Sequence, residues 1–163
     1  MSADLDALIL GIHITGAAIW VGGVVALGAL TFGLRGAPFD DPRIRSLAIA
    51  RLARPLARIM WPALLVTVLT GLYNASWYLP AGSAPLATPQ GMLLATKAGL
   101  VAFVIVVGGL HTFAIGPRIR RGIEAGAPDS ALRGLRGWNA ALGAATLVGS
   151  VGILFVAASL PFA

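Results

Sequence analysis

The sequence contains no cysteine, which excludes disulfides, iron–sulfur clusters and thiolate metal sites. Charge is also scarce, because only 11% of the 163 residues are charged, whereas a water-soluble domain has about a quarter. Apolar residues make up 58% of the chain, and the mean hydropathy is +0.88. A chain with so little polar surface is not suited to water, so we expect its solvent to be lipid.

Four long apolar runs indicate how the chain crosses the lipid. They cover about residues 7–33, 59–79, 91–116 and 138–161. Each has at least about 20 residues, enough to cross a hydrocarbon core of about 30 Å as a helix. Helices are also required there to satisfy the backbone polar groups without water. The sequence therefore predicts an all-α polytopic membrane protein, a four-transmembrane-helix up-down bundle that forms one domain over residues 1–163.

The first apolar run is expected to be a span of the mature protein. It is longer than the apolar region of a signal peptide. The acidic residues Asp4 and Asp6 precede it, where a signal peptide carries basic residues. No small-residue cleavage motif ends the run cleanly, so we count it as the first helix of the bundle.

The basic residues predict the orientation of the bundle. Eleven of the twelve are arginines, and they are confined to two segments, residues 35–58 and 117–137. By the positive-inside rule, these two loops lie in the cytoplasm of a bacterial-type inner membrane and both termini lie outside. The arginines are then expected to contact anionic lipid headgroups rather than nucleic acid.

The first loop is expected to contain a short cytoplasmic interfacial helix. Asp41 is a suitable N-cap and Pro42 a suitable first residue. Apolar residues then share one face, with arginines over much of the remainder: Ile44, Leu47, Ala48, Leu52 and Leu56. Pro55 and Pro62 are expected to bend the junction with the second span.

Only three ionisable side chains lie inside the spans: His13, Lys97 and His111. Because such residues are costly in lipid, each is a functional candidate. Non-functional interpretations stay open, since Lys97 can extend to the headgroups and either histidine can simply hydrogen-bond a neighbouring helix. The absence of Asp and Glu from the spans argues against carboxylate-based catalysis, and we assign no catalytic residue.

The spacing of these residues predicts two sites at different depths. His13 and Lys97 lie at similar depths below the outer surface, and Asn74 lies near the outer end of the second span. His111 lies about 18 Å deeper than His13 at 1.5 Å per residue. The two histidines therefore cannot ligate one metal ion within a protomer. Met92 lies near the outer residues and is a possible second ligand there.

Small residues are abundant within the spans and let helices approach closely. Three of them, Ala141, Ala145 and Gly149, recur every four residues. We expect them to pack helices within the chain, to form a homodimer face, or both.

Several stretches resemble the CopD-like copper-resistance membrane domain family. They are HITGAAIWVGGVVALG, WPALLVTVLTGLYNASW and GMLLATKAGLVAFVIVVGGLHTFAIGPRIRR. The resemblance implies a role in copper handling across the inner membrane. It identifies as pattern residues His13, Trp20, Gly22, Gly23, Thr70, Gly71, Asn74, Lys97 and His111. The chain is more distantly similar to HemJ, a membrane protoporphyrinogen oxidase.

Two functional hypotheses follow, and a structural membrane partner without cofactor is a third. In the first, the chain handles copper, with His13, His111 and Met92 as metal ligands, since imidazole and thioether suit copper. In the second, the chain is a b-type haem protein with an electron-carrying or HemJ-like oxidase role, and His13, His111 or both ligate the haem in the bundle. The cofactor-binding residues, for either hypothesis, are His13, His111, Trp20, Gly16, Asn74 and Lys97.

Overall fold

The structure, a computed structural model, describes residues 3–36, 40–78, 86 and 88–162. These residues form helices and no strand. The α-helices are α1 (Ala3–Gly33), α2 (Pro42–Ala75), α3 (Pro89–Gly109), α4 (Gly116–Glu124) and α5 (Asp129–Ser159). Short 3₁₀ turns follow α2 and α5, at Ser76–Tyr78 and Leu160–Phe162. A π-helical segment, Leu110–Ile115, joins α3 to α4 in one continuous helix.

Four helical segments are long and apolar enough to cross a membrane: α1, α2, the continuous helix Pro89–Glu124, and α5. This confirms the predicted all-α bundle of four spans. Only 11–17% of the residues in the most apolar window of each segment are buried within the protein. Many of the other large apolar side chains are exposed on the outside of the bundle, as expected for helices that face lipid.

Side chains in the connecting segments fix where the helices begin and end. The Asp41 carboxylate accepts a hydrogen bond from the Arg43 amide at 2.7 Å, and Pro42 is the first residue of α2, as predicted. Thr88 caps α3 in the same way through the Gly91 amide. Gly126 ends α4 with a φ of +72°, a conformation that glycine adopts without strain.

The predicted short interfacial helix is not a separate element. Residues 42–75 form one helix of 34 residues that passes through both Pro55 and Pro62. Each proline removes one backbone donor but leaves the helix unbroken. The arginine-bearing segment is therefore the first half of α2, and the apolar span is its second half.

The bundle consists of two helix pairs, α1 with α2 and α3 with α5, which meet chiefly where α1 contacts α5. The core between them contains Trp20, Val24, Met60, Leu64 and Val104. The Trp20 indole donates a hydrogen bond to the Ser150 hydroxyl at 3.0 Å, and both residues are buried. This bond links the two pairs at the middle of the bundle.

Glycines allow the close approach within each pair. A Cβ atom at Gly16 would collide with the Thr67 hydroxyl and approach the Ala63 carbonyl oxygen to 3.0 Å. A Cβ atom at Gly149 would lie 2.8 Å from a methyl group of Val104. These small residues therefore pack helices within the chain. The predicted homodimer face stays a prediction.

The arginine-rich ends of two helices are joined by polar contacts. Arg43, at the start of α2, donates to the Asp129 carboxylate at 2.9 Å and to the Ala127 carbonyl at 2.6 Å. Arg136 approaches the same carboxylate at 3.3 Å. These contacts hold the beginning of α2 against the beginning of α5, at the end of the bundle opposite the C-terminus of α2.

We expect Gly16→Ala to destabilise the bundle by about 1–3 kcal/mol, because the added methyl group overpacks the contact between α1 and α2. Gly11→Ala is the matched control, since a Cβ atom at Gly11 meets nothing within 4 Å. Thermal unfolding of the two variants in detergent measures the difference. Equal stability of both variants would contradict the close contact at Gly16.

Candidate functional site

His13 lies on the face of α1 that packs against α2, and its ring is fixed by two hydrogen-bond partners. The Nδ1 atom lies 2.9 Å from the Thr67 carbonyl oxygen and 3.0 Å from the Thr70 hydroxyl oxygen. The Thr70 hydroxyl donates its own hydrogen to the Val66 carbonyl at 2.7 Å, so it accepts from His13. The Thr67 carbonyl can only accept. Nδ1 therefore carries a hydrogen.

The protonation of Nδ1 determines what the other ring nitrogen does. In a neutral imidazole, one nitrogen donates and the other accepts. Because Nδ1 of His13 donates, Nε2 carries the lone pair. Among the described residues, Nε2 has no hydrogen-bond partner. A backbone carbonyl that orients an imidazole in this way is the usual arrangement behind a metal-binding histidine.

Gly71 lets the imidazole approach α2. A Cβ atom at this position would lie 2.9 Å from Cε1 of His13 and 3.5 Å from Nδ1. Any larger residue would push the ring away from the Thr67 carbonyl. Gly71 therefore allows the His13 ring to lie against α2, and it also allows the close contact between α1 and α2.

Lys97 is the one lysine of the sequence and lies on α3. Lys97 and His13 lie at similar levels along the bundle. Trp20 and Val104 mark a common level, because both belong to the core cluster. His13 is seven residues from Trp20 along α1, and Lys97 is seven residues from Val104 along α3. Lys97 is half-buried. In the described part of the chain it makes no ion pair and no hydrogen bond. The shared depth predicted from sequence spacing agrees with this arrangement.

Asn74 is a buried amide without a partner. Its side chain is one turn beyond Thr70 and Gly71, both of which contact His13. Asn74 is only 7% exposed, and neither its oxygen nor its nitrogen has a hydrogen-bond partner among the described residues. Helical side chains lean toward the preceding turn, which here is the turn next to His13. We refer to His13, Thr70, Asn74 and Lys97 as the His13 cluster.

The core closes the His13 cluster on one side and a tyrosine–aspartate pair lies on the other. Trp20 packs edge-on against Trp61 at 5.3 Å, and Trp61 packs against Phe113 at 5.0 Å. Toward the N-terminus of α1, the Tyr73 hydroxyl donates to Asp6 at 2.6 Å. Sequence reasoning did not identify this pair or Ser150, although the spacing of Asp6 and His13 places them on one face.

His111 lies elsewhere, in the π-helical segment. The segment ends two residues before Pro117, whose ring conflicts with a carbonyl four residues earlier in a regular helix. A Cβ atom at Gly143 would lie 3.4 Å from Nε2 of His111, so the ring packs against α5. Asn139, one turn from Gly143, has a buried oxygen without a partner among the described residues. Wider turns of this kind are frequent at functional sites.

The structure separates the two histidines, as predicted. Gly108 faces Trp20, with a Cβ position 3.8 Å from the indole ring. Counting along α1 and α3 from this level places His13 and His111 about 15 Å apart in depth. Met92 is 53% exposed on α3 and is not buried with the His13 cluster.

The structure gives little room for haem beside His13. Gly16, which was expected to leave space for a flat ring, is covered by the Thr67 hydroxyl and the Ala63 carbonyl. Gly23 is likewise covered by the Met60 side chain. Among the described residues, no group of three His, Cys, Asp or Glu converges on one point. A cation at His13 would therefore have one imidazole nitrogen from this chain as its strongest ligand.

Comparison with protein families gave one result that covers most of the chain. The family described as CopD, copper resistance protein D, matches residues 50–160. The matched segment includes Thr70, Asn74, Lys97 and His111, whereas His13 lies before it. Comparison with curated proteins and with solved structures gave no match.

We expect neutral His13 to be protonated at Nδ1, because both of its partners accept hydrogen bonds. Nitrogen NMR of ¹⁵N-histidine-labelled protein shows which ring nitrogen of His13 carries the hydrogen. The measurement uses a His111→Gln background, which leaves His13 as the one histidine. Thr70→Val is expected to keep the same tautomer, since the Thr67 carbonyl remains. A tautomer protonated at Nε2 would contradict the assigned hydrogen bonds.

Proposed function

The chain belongs to the copper resistance protein D family of membrane proteins, and on that premise we propose that it binds copper as a cargo at His13, within the bundle. The family match covers more than half of the chain and indicates a multi-pass membrane protein of copper resistance. Beyond the family match, we propose that copper binds at His13 and that the chain transfers copper through the membrane.

The observation that carries the proposal is the lone pair on Nε2 of His13. The Thr67 carbonyl and the Thr70 hydroxyl hold the hydrogen on Nδ1, which fixes the ring and leaves Nε2 as an acceptor. A neutral imidazole nitrogen suits copper as a ligand. The carbonyl partner also makes the imidazole more basic and so a stronger ligand.

A site with one imidazole nitrogen fits a passing ion better than a resident one. Conduction requires a site that binds well enough to admit an ion and weakly enough to release it. His111, about 15 Å deeper by helical rise, offers a second imidazole nitrogen against Gly143. We propose that it forms a second station on the same route, beyond the aromatic contact of Trp20 with Trp61.

The positions of the arginines support an inner-membrane orientation with both termini outside. The arginine-bearing ends of α2 and α5 are tied together by Arg43 and Asp129 at one end of the bundle. The positive-inside rule assigns that end to the cytoplasm. His13 then lies in the half of the bundle that is nearer the outside, where copper would enter first.

We expect His13→Gln to weaken Cu(I) binding by at least about 100-fold, because it removes the ligand itself. Thr70→Val and Gly71→Ala should each weaken binding by about 10–100-fold, since they loosen the ring that carries the ligand. Titration of purified protein against a chromophoric Cu(I) chelator measures these affinities.

Two control variants separate the proposed site from general damage. Gly99→Ala adds a methyl group to an exposed glycine of α3 with nothing within 4 Å, so it should bind copper like the original chain. His111→Gln should leave the first binding event unchanged. Undiminished Cu(I) affinity in well-folded His13→Gln would exclude His13 as the ligand.

The orientation can be tested because the chain has no cysteine of its own. Ser76→Cys lies just after α2 and Ser130→Cys at the start of α5, and both serines are exposed. A membrane-impermeant maleimide added to intact spheroplasts should label Ser76→Cys, and it should label Ser130→Cys only after permeabilisation. The reverse pattern would place both termini in the cytoplasm.

A further inference from the structure

The end of the bundle that contains the N-terminus of α1 is acidic. Two of the six acidic residues of the sequence, Asp4 and Asp6, lie there in the first turn of α1. The other four lie at the arginine-bearing end: Asp40, Asp41, Glu124 and Asp129. Residues 71–96, which include the end of α2 and the start of α3, contain no charged residue, and Lys97 follows about two turns inside α3. The rim of this end therefore attracts cations and repels anions.

The two acidic residues of this rim differ in their surroundings. Asp6 is half-buried against α2, and its Oδ1 atom accepts a hydrogen bond from the Tyr73 hydroxyl at 2.6 Å. Asp4 is exposed, and its offset of two residues places it on the other side of α1. Among the described residues, the Oδ2 atom of Asp6 has no hydrogen-bond or ion-pair partner. The Tyr73 bond thus holds a carboxylate at the contact between α1 and α2 and leaves one oxygen free for a cation.

Glycine contacts give the register of α1 against α2, which run in opposite directions. The close pairs are Gly23 with Met60 and Gly16 with Thr67. The second pair lies seven residues from the first along each helix, so the same two faces meet again after two helical turns. A further step of the same length places Asn74 opposite Ile9 of α1.

Asn74 therefore lies at a level between Asp6 and His13. Along α1, Ile9 is about 5 Å from the level of Asp6 and about 6 Å from that of His13. Asn74 is 7% exposed, and neither its amide oxygen nor its amide nitrogen has a hydrogen-bond partner among the described residues. Native proteins rarely leave a buried amide unsatisfied without a bound group. This amide is an independent sign of a ligand on the way from Asp6 to His13.

We propose that Asp6 is the first position at which the chain binds a cation, and that Asn74 passes the ion on to His13. The carboxylate oxygen, the amide oxygen and Nε2 of His13 are then successive ligands at three levels of one helix contact. Imidazole suits copper better than carboxylate or amide oxygen does, which favours movement inward. The cation site at Asp6 is separate from the copper role, whereas the passage to His13 rests on the proposed function.

Terbium(III) luminescence of the copper-free protein in an uncharged detergent tests the cation site. Tb(III) binds carboxylate oxygens as Ca²⁺ does, and it emits when a nearby tyrosine or tryptophan transfers energy to it. Tyr73 contacts Asp6, and its ring centroid lies 6.0 Å from that of Trp77. Asp6→Asn removes the charge but keeps an acceptor for the Tyr73 hydroxyl, so it should weaken Tb(III) binding at least about tenfold in a folded protein.

Asp4→Asn is the matched control for this measurement. It removes the same charge from the other side of α1 and should change Tb(III) binding less than about twofold. Emission that is absent from the original chain, or equally strong in Asp6→Asn, overturns the cation site. Equal losses in Asp6→Asn and Asp4→Asn also overturn it, because they would reflect only the total charge of the rim.

Stopped-flow kinetics of Cu(I) binding, followed by tryptophan fluorescence, tests the passage to His13. Asp6→Asn and Asn74→Leu should each slow Cu(I) association at least about tenfold. The equilibrium affinity should change less than about twofold, because His13 itself remains. Asp4→Asn and Leu72→Ala, the latter at a side chain of α2 that is 69% exposed, should bind at the original rate.

The outcomes separate the passage from the copper function. Unchanged association rates in Asp6→Asn and Asn74→Leu overturn the passage and leave copper binding at His13 standing. Failure of the original chain to bind Cu(I) overturns the copper function and the passage together. The terbium measurement decides the cation site at Asp6 in either case.

Discussion

The close approach of α1 to α2 is the constraint on which the rest of the site depends. Because neither Gly16 nor Gly71 has a side chain, the two backbones lie near enough for an imidazole on one helix to reach a carbonyl on the other. That carbonyl belongs to Thr67, and its hydrogen bond sets the tautomer of His13. A methyl group at either glycine would separate the ring from its acceptor, and the lone pair on Nε2 would no longer be fixed.

The distribution of polar groups in the bundle follows from this contact. In lipid, a polar side chain without a partner is unfavourable, so chains keep few of them. Here the middle of the bundle is mainly apolar and aromatic, and two buried hydroxyls there are hydrogen-bonded: Ser150 accepts from Trp20, and Thr146 donates to the Leu142 carbonyl. Unsatisfied groups are instead gathered beside His13, where Asn74 and Lys97 lie, and near His111. Two polar regions with a packed core between them are compatible with the stepwise passage of copper proposed above.

The sequence predicted the four spans, because apolar length determines them, and helical rise predicted that His13 and His111 lie at different levels. It also placed Asp41 as the N-cap of α2. It predicted an interfacial helix that runs into the second span with a bend at Pro55 and Pro62, but not that residues 42–75 form a single α-helix. It could not predict that His13 contacts Thr67 and Thr70. Nearly every face of these helices is apolar, so the pattern does not determine which faces meet. Ser150 was missed for the same reason.

X-ray absorption spectroscopy of the Cu(I)-loaded protein tests the central claim most directly, because scattering from an imidazole ring identifies a histidine ligand. We predict one imidazole nitrogen at the copper in His111→Gln, which keeps only the His13 site, and no imidazole when His13→Gln is added to that background. Copper bound to well-folded His111→Gln without an imidazole, or through sulfur alone, would contradict the assignment of His13 as the copper ligand.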